Sequence, residues 1–326
     1  MSGKLSRESA SFQTGLASVT PLHSAFYRQY NITVGLLRID LLHPQISGNK
    51  WFKLLPLLQR LESGERPRVL SFGGVWSNHL HALAYVGNSF GIRTLGMVRG
   101  HPAQASTAML EDAQRWGMQL VYLSRDEYRD RDAPAFLATL AQEYLGWEVL
   151  PEGGSNADAV QGCRTIWQSV QGSDWSAPDY FVCAMGTGGT LAGVIAGKPS
   201  RTQVVGVPVL ALGDAGEHRV RELLSQAQVS DPQGWCLDHA GAFGGYAKLT
   251  HELAAFLLSF ECRIGVPLDP VYTLKMMAAL NRRVVRGQIA PGSRVLLLHS
   301  GGLQGRRGML SRVETGASAF VGPQLV

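Results

Sequence analysis

Lys50 sits in Ser47-Gly48-Asn49-Lys50-Trp51-Phe52-Lys53, and far downstream comes Gly186-Thr187-Gly188-Gly189-Thr190. A lysine amine can form an imine with an aldehyde. Bare amides at a helix N-terminus can wrap a phosphate, and the Thr187 and Thr190 hydroxyls can add donors. A phosphorylated aldehyde such as pyridoxal 5′-phosphate (PLP) needs both, so the pair carries meaning if the two segments meet in the fold. Singly, each has a plainer explanation. Lys50 and Lys53, three apart on one helix face, also read as solvated surface lysines. Against that, lysines in a first turn oppose the helix dipole, which favours anions there. The glycine turn also reads as purely structural. It lacks the Walker lysine, and it misses the Gly-x-Gly-x-x-Gly spacing because Leu191 stands where the third glycine would.

Other candidates are weaker alone. Ser77-Asn78-His79 follows Gly73-Gly74-Val75-Trp76. A serine at a strand-to-helix turn is a common cap; the functional alternative is a hydroxyl facing a ligand, with Asn78 as a donor. No Gly-x-Ser-x-Gly elbow surrounds it, so it is not read as an acyl-transfer serine. His79 and His81 lie two apart in a helix and face different ways, which argues against a shared zinc, and no metal is expected. Tyr246, after Gly244-Gly245, and Tyr272, in Asp269-Pro270-Val271-Tyr272-Thr273, read alone as core tyrosines. Ser300 follows an apolar run, where it caps the next helix or faces a ligand.

The elements that must position these residues alternate. Strands are expected over 68–72, 94–98, 119–123, 148–150, 179–184, 203–209 and 294–299. Helices are expected over 77–90, 107–116, 133–145, 157–170, 188–196, 215–227, 248–261 and 273–286. Ser47 or Asn49 is expected to cap the Lys50 helix, and Pro56 to kink or restart it. Such alternation predicts parallel sheets covered by helices, with ligands beyond the carboxyl ends of the strands. The glycine-rich segments at 73–74, 153–154, 186–189 and 301–302 all fall there.

Composition narrows the class. The 326 residues, 45% hydrophobic and 17% charged, describe an ordinary soluble enzyme with room for two domains. A net charge of +5 without an aromatic-interleaved basic stripe gives no support for a nucleic-acid partner. No apolar stretch is long enough to span a bilayer. The polar start, Met1 to Ser18, has no apolar h-region, and a cytoplasmic location is expected. Cys163, Cys183, Cys236 and Cys262 are widely spaced and expected to be reduced core residues.

Taken in order, the segments resemble the PLP-dependent enzymes of fold type II, closest to the family of 1-aminocyclopropane-1-carboxylate deaminase and D-cysteine desulfhydrase. Six signals carry the resemblance: Ser-Gly-Asn-Lys at 47–50, Gly-Gly-Val-Trp-Ser-Asn-His at 73–79, Pro-Glu-Gly-Gly-Ser-Asn at 151–156, Gly-Thr-Gly-Gly-Thr-Leu-Ala-Gly at 186–193, Asp-Pro-Val-Tyr-Thr at 269–273 and His-Ser-Gly-Gly at 299–302. The resemblance implies an α/β fold of two domains, each an open, mostly parallel sheet covered by helices. It places a large PLP-binding domain at 1–46 plus 151–326 and a small domain at 47–150. It implies a homodimer acting on a small amino acid.

The resemblance also implies roles. Lys50 would be the Schiff-base lysine, and Lys53 would help hold the phosphate bound by Gly186, Thr187, Gly188, Gly189 and Thr190. Ser77 would accept or relay the substrate proton, and Asn78 would contact the phenolic oxygen. The amides of Ser77, Asn78 and His79 would bind the substrate carboxylate. Tyr246 and Tyr272 would flank the substrate, and Ser300 would face the pyridine nitrogen. Ring-opening members look as if they carry Glu and Leu where Thr273 and Ser300 stand here, so the resemblance favours the desulfhydrase branch. That reaction is a β-elimination giving a 2-oxo acid, ammonia and sulfide, with Ser77 or the freed Lys50 amine removing the Cα proton. Ring opening of 1-aminocyclopropane-1-carboxylate and non-catalytic PLP binding are the alternatives, and a nucleotide-binding dehydrogenase is a distant third. Departures from the family pattern at Phe52, His81, Asp158 and Leu274 bear on the substrate rather than on the cofactor.

Overall fold

The computed structural model describes residues 17–103, 106–230 and 232–320. The polar stretch Met1 to Ser18 therefore lies almost wholly outside the described residues, as do the extreme ends of the expected large domain. The chain opens with β1 (Val19–Pro21), α1 (Ala25–Gln29), β2 (Thr33–Leu37) and α2 (Asn49–Glu62). A first βα series follows: β3 (Arg68–Gly74), α3 (Asn78–Phe90), β4 (Thr94–Arg99), α4 (Ala108–Arg115), β5 (Gln119–Leu123), α5 (Arg125–Arg129), α6 (Pro134–Glu143) and β6 (Trp147–Leu150). The second comprises α7 (Ala157–Arg164), β7 (Tyr180–Met185), α8 (Gly189–Gly197), β8 (Gln203–Pro208), α9 (Ala215–Gln226) and β9 (Trp235–Leu237). It ends with α10 (His251–Ile264), α11 (Thr273–Val285), β10 (Arg294–Leu298) and α12 (Leu310–Ser318).

Two sheets result. One has the order β5-β4-β3-β6 and is wholly parallel. The other has the order β1-β2-β10-β7-β8-β9, parallel except where β1 runs against β2. The strands are apolar because both faces are covered, as parallel sheets require. Alternation sorts their side chains. Leu296 and Leu298 join a core shared with α2, α3, α7 and α8, whereas Val295 and Leu297 join one shared with α10 and α11. Leu70, Phe72, Leu95 and Met97 face outward from the smaller sheet, onto Tyr128 and Leu140.

Local chemistry sets the helix starts. Ser77, Thr107, Asn156 and Thr250 each accept a hydrogen bond from a first-turn amide, and Ser124 forms a full capping box with Glu127. The expected cap of the Lys50 helix is corrected: neither Ser47 nor Asn49 caps it. Gly48 is the N-cap, at φ +65°, with no side-chain bond. A Cβ there would lie 2.0 Å from the Ser300 carbonyl oxygen, so only glycine lets α2 begin against the exit of β10. Pro56 does not restart the helix either; α2 runs through it. The proline leaves the Phe52 carbonyl without its helical donor. Gly162 of α7 comes against that oxygen, where a Cβ would approach to 2.0 Å. The expected helix 157–170 ends at Arg164 and continues as a 3₁₀ turn over Thr165–Val170. Cys163 and Cys183 are core residues, but Cys236 and Cys262 are exposed, which corrects the expectation for those two.

Candidate active site

The carboxyl ends of β3, β7 and β10, the loop after β6 and the start of α2 surround one cleft of about 930 Å³. Lys50, Lys53, Ser77, Asn78, His79, Gly186, Thr187, Gly188, Thr190, Tyr246, Tyr272 and Ser300 all contribute to its walls. The lysine segment and the glycine turn do meet. The Asn49 side-chain amide donates to the Thr190 hydroxyl at 2.7 Å, and the Asn49 backbone N–H donates to the Ser300 carbonyl at 3.1 Å.

Lys50 stands in the first turn of α2, partly open to the cleft. Burial pulls its amine down to about 8, against partial support from the buried Asp269 carboxylate. Lys53 lies deeper. Its Nζ donates to the Gly153 carbonyl at 2.8 Å and to the Ser155 hydroxyl at 2.7 Å, and it lies 3.4 Å from the Thr187 hydroxyl. Burial first, and the charge of Lys50 next, hold it well below the ordinary lysine range. The Ser155 and Thr187 hydroxyls are themselves 2.5 Å apart. Gly188, at φ +90°, opens α8 without a side-chain cap. The amides of Gly189, Thr190 and Leu191 then belong to a first turn that has no carbonyl to pair with them.

Ser77 does what the plain reading asked: its hydroxyl accepts from the Leu80 amide at 3.2 Å, capping α3. It also stands in the cleft wall, so the two readings coexist. The Asn78 carboxamide oxygen accepts from Gln304 at 2.5 Å, which leaves its NH₂ as the group free to donate. The His79 imidazole packs against the loop after β6: Nε2 lies 3.0 Å from the Ser71 hydroxyl, and Gly154 lies against the ring. Ser71 donates to the Leu150 carbonyl, so Nε2 carries the proton toward Ser71, and Nδ1 is buried without a protein partner. Burial, with Lys50 and Lys53 nearby, keeps the ring neutral. His81 points elsewhere, toward Asp112 at 3.5 Å and the Trp116 ring.

Tyr246 and Tyr272 meet edge to face, centroids 6.3 Å apart, and their hydroxyls are hydrogen-bonded. Burial raises both phenols, so both stay protonated at neutral pH, and one of their two O–H protons is spent on the bond between them. Tyr272 also packs over Gly186. Asp269 accepts from the Val271 and Tyr272 amides at 3.0 and 2.5 Å, and burial lifts it to about 7.

Comparison with known proteins agrees with this arrangement. The family described as pyridoxal-phosphate dependent enzyme matches residues 14–301. The chain belongs to that family. A Thermotoga maritima protein, provisionally named a 1-aminocyclopropane-1-carboxylate deaminase, is 29% identical over 290 residues, covering 85% of this chain and 91% of its own. The mitochondrial bifunctional D-cysteine desulfhydrase/1-aminocyclopropane-1-carboxylate deaminase of Arabidopsis thaliana is 27% identical, covering 82% of this chain and 72% of its own. The solved structure of an ACC deaminase homologue superposes with a TM-score of 0.77 at 25% identity, covering 93% of this chain and 94% of that one. The fold is the α/β, fold-type II arrangement of PLP enzymes.

The cofactor is PLP, and the residues fit it. The unpaired amides of α8 suit a phosphate, and a half-buried amine of lowered basicity suits an aldehyde. Two expected site residues do not line the cleft. Gly189 sits behind the turn, where a Cβ would lie 2.8 Å from the Ser155 hydroxyl. Thr273 is fully buried, and its hydroxyl is committed to the Asp269 backbone, accepting from N at 2.7 Å. Conversely, Asn49, Ser155, Glu152, Asp269 and Gln304 support the site without having been singled out. Ser155 was within reach, since it lies in the quoted 151–156 motif. Gln304 carries no signal at all.

Proposed function

We propose that this chain is a PLP-dependent lyase acting on a small amino acid by D-cysteine desulfhydrase-type β-elimination, releasing a 2-oxo acid, ammonia and sulfide. The observation that carries the reading is the convergence of three groups on one cleft: the Lys50 amine, the first-turn amides of α8, and the first-turn amides of α3. Bound cofactor supplies a sink for the electron pair released at Cα. Lys50 would hold its aldehyde carbon. The turn at 186–190 would hold its phosphate, with Lys53 and Ser155 fixing that turn. Of the three expected amides, that of Ser77 is taken by the Gly74 carbonyl at 2.9 Å, so those of Asn78 and His79, at the N-terminus of α3, would orient the substrate carboxylate. The Asn78 NH₂ would donate to the phenolic oxygen. Ser77 would hold and relay the Cα proton, with the Lys50 amine as the alternative base. Tyr246 and Tyr272 would close over the substrate, with one O–H of the pair left to donate to it. The small body, 47–150, and the large body, 1–46 plus 151–326, would each supply one wall. A cytoplasmic homodimer belongs to the same reading and rests on the likeness alone.

The choice of branch now rests on Ser300, because Thr273 does not reach the cleft. A serine in the wall at the end of β10, where ring-opening members look as if they carry leucine, puts a neutral hydroxyl toward the pyridine, which suits expulsion of a good leaving group. Ring opening stays as the second reading because the Arabidopsis relative carries both names. The test is an assay of purified holoenzyme for sulfide and ammonia from D- and L-cysteine, beside ammonia from 1-aminocyclopropane-1-carboxylate. Sulfide from one cysteine enantiomer is expected. Ammonia from the cyclopropane alone would move the chain to the second branch. A coloured protein that turns over no amino acid would make it a cofactor binder only.

A further inference from the structure

Resting on that reading for cofactor and reaction type, we infer that the cleft also accepts amino acids with a second anionic group on the side chain, and binds them better than neutral ones, with Arg99 and Arg125 receiving that group at the cleft mouth. Four arginines from the smaller sheet and its helices enter the cleft wall: Arg99, Arg125, Arg129 and Arg131. The one carboxylate in that wall, Glu152, is consumed by Arg131, whose Nη2 lies 2.7 Å from Oε2, and by the Tyr128 hydroxyl, which donates to Oε1 at 2.7 Å. Asp126 takes Arg129 at 3.0 Å. Among the described residues no carboxylate forms an ion pair with Arg99 or Arg125.

Arg99 is nonetheless held in place. It closes β4 at the sheet's carboxyl edge, and its guanidinium lies 5.6 Å from the ring centre of the buried Tyr128, which Arg131 also approaches at 4.8 Å. Its charge reaches across the cleft to Tyr246 in the opposite wall, where it favours the ionised phenol. Lys50 and Lys53 are already committed to the cofactor, so this excess of positive charge has no use in binding PLP. A neutral side chain such as that of cysteine would leave it unused. A carboxylate, sulfonate or phosphate on the side chain would use it, through the paired donors of a guanidinium. There is space for such a group: the cleft lies toward the upper end of the roughly 300–1,000 Å³ usual for small-molecule sites.

The test uses PLP-loaded protein titrated with D- and L-alanine, D- and L-aspartate and D- and L-O-phosphoserine, following the cofactor's absorbance. Aspartate or O-phosphoserine is expected to bind about tenfold or more tighter than alanine of the same hand. That ratio should shrink as salt rises, because exposed charges are screened. Arg99→Gln/Arg125→Gln should bring the ratio toward one. Equal affinities for neutral and anionic side chains in the natural protein, or a ratio untouched by the double substitution, would overturn the inference. If the double variant does not fold, the natural protein's ratio and its salt dependence still decide. A protein that takes up no PLP overturns this inference and the proposed function together. A coloured protein indifferent to side-chain charge overturns this one alone.

Discussion

Burial decides what Lys50 can do. With its amine near 8 rather than the ordinary ~10.4, about a tenth is uncharged at pH 7, against well under a thousandth for a solvated lysine. Uptake of PLP by the cofactor-free protein should therefore quicken as pH rises through about 8 and level off above; stopped-flow absorbance checks it, and a rate still climbing steeply past pH 10 would contradict it. The same depression has a stability side. The unfolded lysine binds its proton more tightly than the folded one, so this group's contribution to stability grows as pH climbs from about 8 toward 10. Lys50→Ala should leave no borohydride-reducible link to the cofactor, as read by mass spectrometry. Ser77→Ala should keep the colour but lower turnover by about 10²–10⁴. It should also cost about 0.5–2 kcal/mol, because the same hydroxyl caps α3. Lys50, Ser77 and the glycine turn were legible because their residue types announce local chemistry. Thr273 misled because a motif position does not tell which way the first residue of a helix points. Arg99 and Arg125 were illegible: an exposed arginine looks the same in sequence whether it faces bulk water or a cleft wall.

At the scale of elements, α2 is the part that has to be aimed. It starts at a residue with positive φ lodged against Ser300, and it lies along α7 where Pro56 has freed the Phe52 carbonyl. Gly48→Ala should destabilise the protein by more than about 1 kcal/mol in urea unfolding, through φ and the clash together, and should weaken PLP retention. A variant as stable as the natural protein would show that the start of α2 can shift freely. The deeply buried strands, such as Tyr180–Met185, were readable because a fully apolar run between turn signals leaves few alternatives. β1, β2 and β9 were not read. They are three to five residues long, and their strand character comes from the neighbour each pairs with rather than from any pattern of their own. The 3₁₀ turn after α7 was missed for a related reason: the apolar positions Ile166 and Val170 keep helical spacing while the backbone tightens.

At the scale of the whole molecule, PLP would touch both sheets, so its binding should stabilise the fold as a unit. At a concentration a hundredfold above Kd the gain is about 2.7 kcal/mol, and the thermal midpoint should rise with added PLP. In Lys53→Met that rise should shrink, because the amine that ties the 151–156 loop to the phosphate turn is gone. An undiminished rise would mean that the turn holds itself. Alternation of strands and helices made the sheets foreseeable; the cleft between them was not, since it exists only where segments distant in sequence are brought together. The contact between Asn49 and Ser300 has a consequence for biosynthesis. A ribosome delivers the lysine long before its supporting carbonyl, so a nascent chain carries an ordinary, solvated amine with no socket around it until β10 has been made. Vitamin capture is thereby postponed until β10 and the turn after it are in place, and stalled or truncated products lacking β10 should emerge colourless.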